Sequence, residues 1–118
     1  MLEAEIKVEP LSVNKAFKGR RFKTDDYKNY ERKLLFMLKK GLALPPPPYQ
    51  IYFEFGFSNK ASDWDNPVKP FQDVLQKKYK FDDKDIYRAT VEKKIVPKGQ
   101  EYIKFRIEHY GDSLPNPH

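Results

Sequence analysis

The chain contains no cysteine in its 118 residues. That excludes disulfides, thiol nucleophiles and cysteine-ligated zinc together, and it fits a reducing cytoplasm. Histidine is scarce: His109 closes the last expected strand and His118 sits in the tail, and both read as surface residues. No apolar run approaches the roughly 18 residues of a membrane span, the densest being the short Leu34–Leu38 stretch. The N-terminus alternates acidic residues (Glu3, Glu5) with apolar ones and has no basic segment leading into a hydrophobic one, so no signal peptide is expected. Nothing calls for a small-molecule cofactor or a membrane partner.

What the chain does hold is a 39% apolar fraction rich in aromatics, enough to close one core, over a length suited to one domain. Residues 1–110 are expected to form that domain, with 111–118 a loose tail. The formal net charge is +6. Excess positive charge attracts polyanions at long range, which puts nucleic acid first among partners and acidic membrane surfaces behind it. Many soluble proteins with neither partner carry a similar excess.

Leu2, Ala4, Ile6 and Val8 alternate with charged residues up to Pro10, the pattern of a half-buried strand. Residues 11–23 lack periodicity, but Asn14–Lys23 carries Lys15, Lys18, Arg20, Arg21 and Lys23 without one acid. Thr24 reads as a helix cap with Asp25 and Asp26 in the positive first turn, and Tyr27, Tyr30, Leu34, Met37 and Leu38 predict a helix over 25–40 that stops at Gly41. Pro45–Pro48 form a stiff connector, with an SH3 or WW ligand as the other reading of such a run. Ile51, Phe53, Phe55 and Phe57 mark a second strand. Asn66 as cap and Pro67 at the first helical position open a second helix, whose buried stripe is Val68, Phe71, Leu75 and Tyr79. Residues 85–96 and 101–109 read as strands joined by a turn at Pro97–Gln100. The order β-α-β-α-β-β predicts an α+β two-layer sandwich, with a mixed sheet and two helices.

The segment Asp63-Trp64-Asp65-Asn66-Pro67-Val68-Lys69, followed by Asp73 and by Asp82-Asp83, carries the chemistry. In extended backbone Asp63 and Asp65 point the same way, Lys69 stands one helical turn on, and Asp82 and Asp83 fold back toward them if the chain returns to the sheet there. Three carboxylates with few competing nitrogen or sulfur ligands suit Mg²⁺, with Mn²⁺ able to substitute. Such a site suits phosphodiester hydrolysis, with Lys69 either stabilising the phosphorane or positioning the attacking hydroxide. Each part also has a plainer meaning. Asp-x-Asp is in most proteins a solvated loop or a capping device, Asp82-Asp83 a turn, and Lys69 with Asp73 an i, i+4 surface pair. The basic loop can be a solvated face, and Trp64 can pack under the site or stack on a base.

Taken together, Pro10, Asn14, Gly19-Arg20-Arg21, Tyr30, the spaced Asp63-x-Asp65-Asn66-x-x-Lys69-x-x-x-Asp73, the Asp82-Asp83 pair and Lys93 resemble the RusA family of Holliday-junction resolvases. The resemblance spans most of the chain, departing from the pattern at Pro67 and Pro70 and in a slightly short spacing to Asp82-Asp83. It implies a homodimeric, Mg²⁺-dependent endonuclease, often prophage-borne, that resolves four-way DNA junctions by paired symmetric nicks in recombination and repair. By position it implies metal carboxylates at Asp63, Asp65 and Asp83, a catalytic lysine at Lys69, and DNA contacts from Asn14, Arg20, Arg21, Lys23 and Lys93. The competing expectations are a nucleic-acid-binding module without catalysis, and a metal-dependent nuclease acting on flap DNA or RNA.

Overall fold

The computed structural model describes residues 2–18 and 22–111. Gly19, Arg20 and Arg21, and the tail residues 112–118 whose looseness the sequence suggests, lie outside that set. The fold is α+β: a mixed four-stranded sheet that shares one core with helices α2 (Asp25–Met37) and α3 (Val68–Tyr79). Strand β1 (Leu2–Ile6) pairs antiparallel with β6 (Tyr102–His109), β6 pairs antiparallel with β4 (Tyr49–Phe57), and β4 pairs parallel with β5 (Ile86–Ile95), giving the order β1-β6-β4-β5.

The period-two pattern of β4 explains its central place. Ile51, Phe53, Phe55 and Phe57 are all buried, and Phe71 of α3 (Val68–Tyr79) meets Phe53, Phe55 and Phe105 edge-on. Alternate residues Tyr52, Glu54 and Gly56 belong to the opposite face, in register with Arg106, Lys104 and Tyr102 of β6. Both Tyr52 (2.6 Å) and Tyr102 donate hydrogen bonds to Glu54, and these bonds, with Lys104 and Lys94 nearby, hold its carboxyl below the usual range. The Tyr102 ring lies so close over Gly56 that a Cβ there has no room.

A strand buried along one face needs partners at both edges, and that need overturns one expectation. The Pro97–Gln100 turn does not close a hairpin: β5 and β6 lie on opposite sides of β4, and the chain crosses the end of β4 between them. Segment 11–23, which shows no periodicity, holds the four-residue helix α1 (Val13–Ala16) and a two-stranded ribbon of β2 (Phe17–Lys18) and β3 (Phe22–Lys23). Together with a 3-10 turn at Asp83–Asp85, these make the element order richer than two helices and four strands.

Thr24 caps α2 (Asp25–Met37) as its sequence suggests, accepting from the Tyr27 amide at 3.2 Å. The helix ends at Met37, before the expected 40, because Leu38 turns to extended backbone and buries its side chain. At α3 the Asn66 side chain makes no cap; Pro67 occupies the cap position in helical backbone, and Val74 joins Phe71 and Leu75 in the buried stripe. The proline connector is pinned: Tyr110 donates its amide to the Pro48 carbonyl (2.8 Å), and His109 Nδ1 lies 2.8 Å from the Pro46 carbonyl. Among the described residues no helix is long and apolar enough to cross a membrane.

Candidate active site

The loop from Ser58 to Pro67 leaves the end of β4 and enters α3, carrying Asp63 and Asp65. Its backbone is anchored by two other elements and by one bond of its own. Lys93 of β5 donates Nζ hydrogen bonds to the carbonyls of Lys60 (2.7 Å) and Ser62. The Val13 amide of α1 donates to the Asn66 carbonyl at 2.8 Å, and the Asn59 side chain accepts from the Ala61 amide at 2.8 Å. Segment 64–67 is a turn, so the extended-backbone argument for Asp63 and Asp65 facing one point does not apply. Both side chains are exposed, and Asn66 Nδ2 approaches Asp63 Oδ2 at 3.4 Å. Trp64 between them is 57% exposed, so it does not pack beneath the site.

Asp63 lines a cavity of about 560 Å³ between this loop, the segment after β1 and the start of α2. Glu9, Asp26, Asp63 and Glu101 border it against Lys15, which makes it acidic among the described residues. Glu101 accepts from Ser58 Oγ (2.7 Å) and from the Gly99 amide (2.9 Å), contacts that lower its carboxyl.

The remaining expected residues are dispersed. Lys69 is exposed on the first turn of α3, 3.2 Å from Asp73 and above the Phe17 ring, so its i, i+4 pair forms. Lys23 reaches Glu31 at 3.7 Å and covers the Tyr27 ring. Asn14 is exposed on α1. Lys93, expected at DNA, instead anchors the loop. Arg20 and Arg21 lie outside the described residues. Asp82 accepts from the Lys84 amide at 3.1 Å and caps the 3-10 turn, and that backbone bond lowers its carboxyl.

Asp83 corrects the expectation most. Ile86 pairs beside Tyr49 and Ile95 beside Phe57, so Asp83 precedes β5 at the end of the sheet opposite the Asp63 loop. The twelve residues of α3 separate the two along a helix rising 1.5 Å per residue, roughly 20 Å in all. The reason is topological: a parallel crossover returns the chain to the end of the sheet where its first strand began. Accordingly, no group of three or more His, Cys, Asp or Glu side chains placed to hold a metal ion exists among the described residues of one chain. Compared with protein-family models and with curated proteins, the chain matches none.

Asp63 and Asp65, both exposed, are the carboxylates that this loop presents. Magnesium keeps several waters and commonly takes one or two carboxylates together with substrate phosphate oxygens. The acidic cavity beside Asp63 repels bare phosphate, so an anionic substrate needs positive charge brought to this loop.

Proposed function

We propose that the chain is a RusA-like, Mg²⁺-dependent endonuclease that resolves four-way DNA junctions as a homodimer. The observation that carries this reading is the Lys93 anchor. Two parts of the resolvase-like pattern about thirty residues apart in sequence, Lys93 and the Asp63-x-Asp65 loop, meet through hydrogen bonds of one ammonium. An ordinary solvated loop has no need of such a tether.

In this reading Asp63 and Asp65 hold the ion, which supplies Lewis acidity and a bound water of lowered pKa. Lys69 leaves Asp73 to meet phosphate charge at the first turn of α3. Lys15, Lys18 and the Arg20-Arg21 segment take backbone phosphates, which position the substrate without reading its sequence. Trp64, exposed between the carboxylates, offers a ring for a base unstacked near the branch point.

A binding module without catalysis is the second reading, and the Lys69–Asp73 pair together with the distant Asp83 favours it. One experiment separates the readings: a four-way junction, linear duplex, flap and RNA, each incubated with and without Mg²⁺. Junction cleavage that requires the metal is the expected result. Junction binding with no cleavage under any divalent ion selects the module, and cleavage confined to flap or RNA redirects the substrate.

A further inference from the structure

Helices α2 and α3 meet at their C-terminal ends, a helix length of roughly 20 Å from the Asp63–Asp65 loop that opens α3. Lys78 Nζ donates to the Leu35 carbonyl at 2.9 Å, the Tyr79 hydroxyl donates to the Lys39 carbonyl at 3.0 Å, and Lys77 pairs with Glu31 at 3.0 Å. Over this junction the charge is of one sign. Residues 32–42 carry four cations and residues 74–81 carry three, with no acid in either segment. Among the described residues, Lys77 is the one of these seven that forms an ion pair.

The macrodipole favours cations at a helix C-terminus, but it gives no reason for apolar residues set among them. Phe36 is 91% exposed, and Met37 and Leu42 are each 37% exposed. At about 100° per residue Phe36 stands on the opposite side of α2 from the buried Leu34, and its ring points into solvent.

We propose that the joined ends of α2 and α3 dock a flexible acidic segment of a partner protein, which packs an apolar side chain on Phe36 and spaces its carboxylates over the surrounding cations. Unopposed positive charge selects an anionic occupant, and the shape of the patch selects a polypeptide among anions. Phe36 and Met37 are consecutive in a helix and point about 100° apart, so a flat bilayer that takes Phe36 leaves Met37 at its margin. Nucleic-acid phosphates answer the cations but leave Met37 and Leu42 in water. An unstructured acidic chain wraps a convex surface without needing a groove, and it can alternate carboxylates with apolar side chains. The inference stands apart from the nuclease reading, since it uses none of the residues placed in that site.

The test uses the full chain at about 0.15 M salt and a fluorescein-labelled peptide of about twelve residues, aspartate alternating with phenylalanine, read by anisotropy. Saturable binding with a dissociation constant below about 100 µM is expected. Phe36→Ser changes a side chain that stands in solvent, so the fold should survive it and peptide affinity should fall about tenfold. Lys39→Glu combined with Lys40→Glu should weaken binding by about as much. A peptide with alanine in place of phenylalanine should bind wild type and Phe36→Ser equally, because the two aromatic groups form one contact. No saturable binding, or a Phe36→Ser or charge-reversed protein that binds the aspartate-phenylalanine peptide as well as wild type, overturns the proposal. Phe36-dependent sedimentation with phosphatidylserine vesicles, without peptide binding, overturns it in favour of a lipid surface. A loss of duplex-DNA affinity in Phe36→Ser as large as the loss for the peptide overturns it in favour of nucleic acid.

Discussion

Lys93 shows how one side chain can serve a site it does not enter. Its ammonium fills two carbonyl acceptors of the loop that presents Asp63 and Asp65, so Lys93→Met should let that loop move while the strand pairing survives. Such a change should lower cleavage about tenfold or more through turnover, with junction affinity little altered, because a mispositioned carboxylate costs the transition state more than the ground state. Loss of affinity with unchanged turnover would place Lys93 on the DNA instead. Asp63→Asn and Asp65→Asn keep shape and remove charge; cleavage should fall about a hundredfold or more while junction binding holds or tightens. A variant cutting at the wild-type rate in a single-turnover assay removes that aspartate from the chemistry. Sequence spacing identified these residue types but not their distribution, because a spacing of two carries direction only in extended backbone and residues 64–67 form a turn.

At the scale of elements, the strongly periodic segments were legible: β4, α2, α3 and the strand pattern of β1 follow from alternation, a Thr24 cap and helical stripes. What could not be read is neighbour relations. Nothing in Pro97–Gln100 distinguishes a hairpin from a crossing over β4, and the position of Asp83 depends on a separate relation, the parallel crossover from β4 through α3 to β5. Gly56 was equally silent, since its meaning lies in the Tyr102 ring on the next strand. Gly56→Ala should destabilise the fold by about 1–3 kcal/mol, as overpacking does, and Tyr102→Ala in the same chain should recover part of that loss in denaturant unfolding. The α2–α3 contact adds a pH dependence. Burial alone would raise the Glu31 carboxyl, but the hydrogen bond from Lys77 at 3.0 Å and the charges of Lys77 and Lys23 outweigh it and lower it. A carboxyl lowered in the folded state contributes stability above its unfolded pKa, lost as pH falls through the folded value. Glu31→Gln should therefore flatten the acid limb of the stability curve below about pH 4.5, by no more than about 1 kcal/mol given the exposure of both lysines. An acid limb unchanged by the substitution would show that the two helices gain nothing from this pair.

The molecule as a whole joins a positive excess to an acidic cavity, and the two act at different ranges. On the nuclease reading the net charge of +6 would draw a polyanion in across the Debye length, about 8 Å at physiological salt, whereas Glu9, Asp26, Asp63 and Glu101 would repel its phosphates. Cations with internal partners count less toward binding than their number suggests: Lys23 and Lys77 face Glu31, Lys69 faces Asp73, and Lys94 faces Glu92. The exposed lysines of the Asn14–Lys23 segment should then set most of the salt dependence. Replacing Lys15 and Lys18 together with glutamine should reduce the slope of log affinity against log salt by roughly 2, since each phosphate contact contributes about 0.9. Lys77→Gln, which touches a lysine already held by Glu31, should leave that slope within about 0.3 of wild type. Adding Mg²⁺ or the inert Ca²⁺ should raise junction affinity at constant ionic strength, because a cation on the Asp63 loop cancels the local repulsion, and Asp63→Asn should abolish that gain. Fluorescence anisotropy on a labelled junction reads all three effects. An equal loss of slope from Lys77→Gln would mean that the basic excess acts as a diffuse cloud, and the Asn14–Lys23 segment would lose its place as the DNA-facing surface.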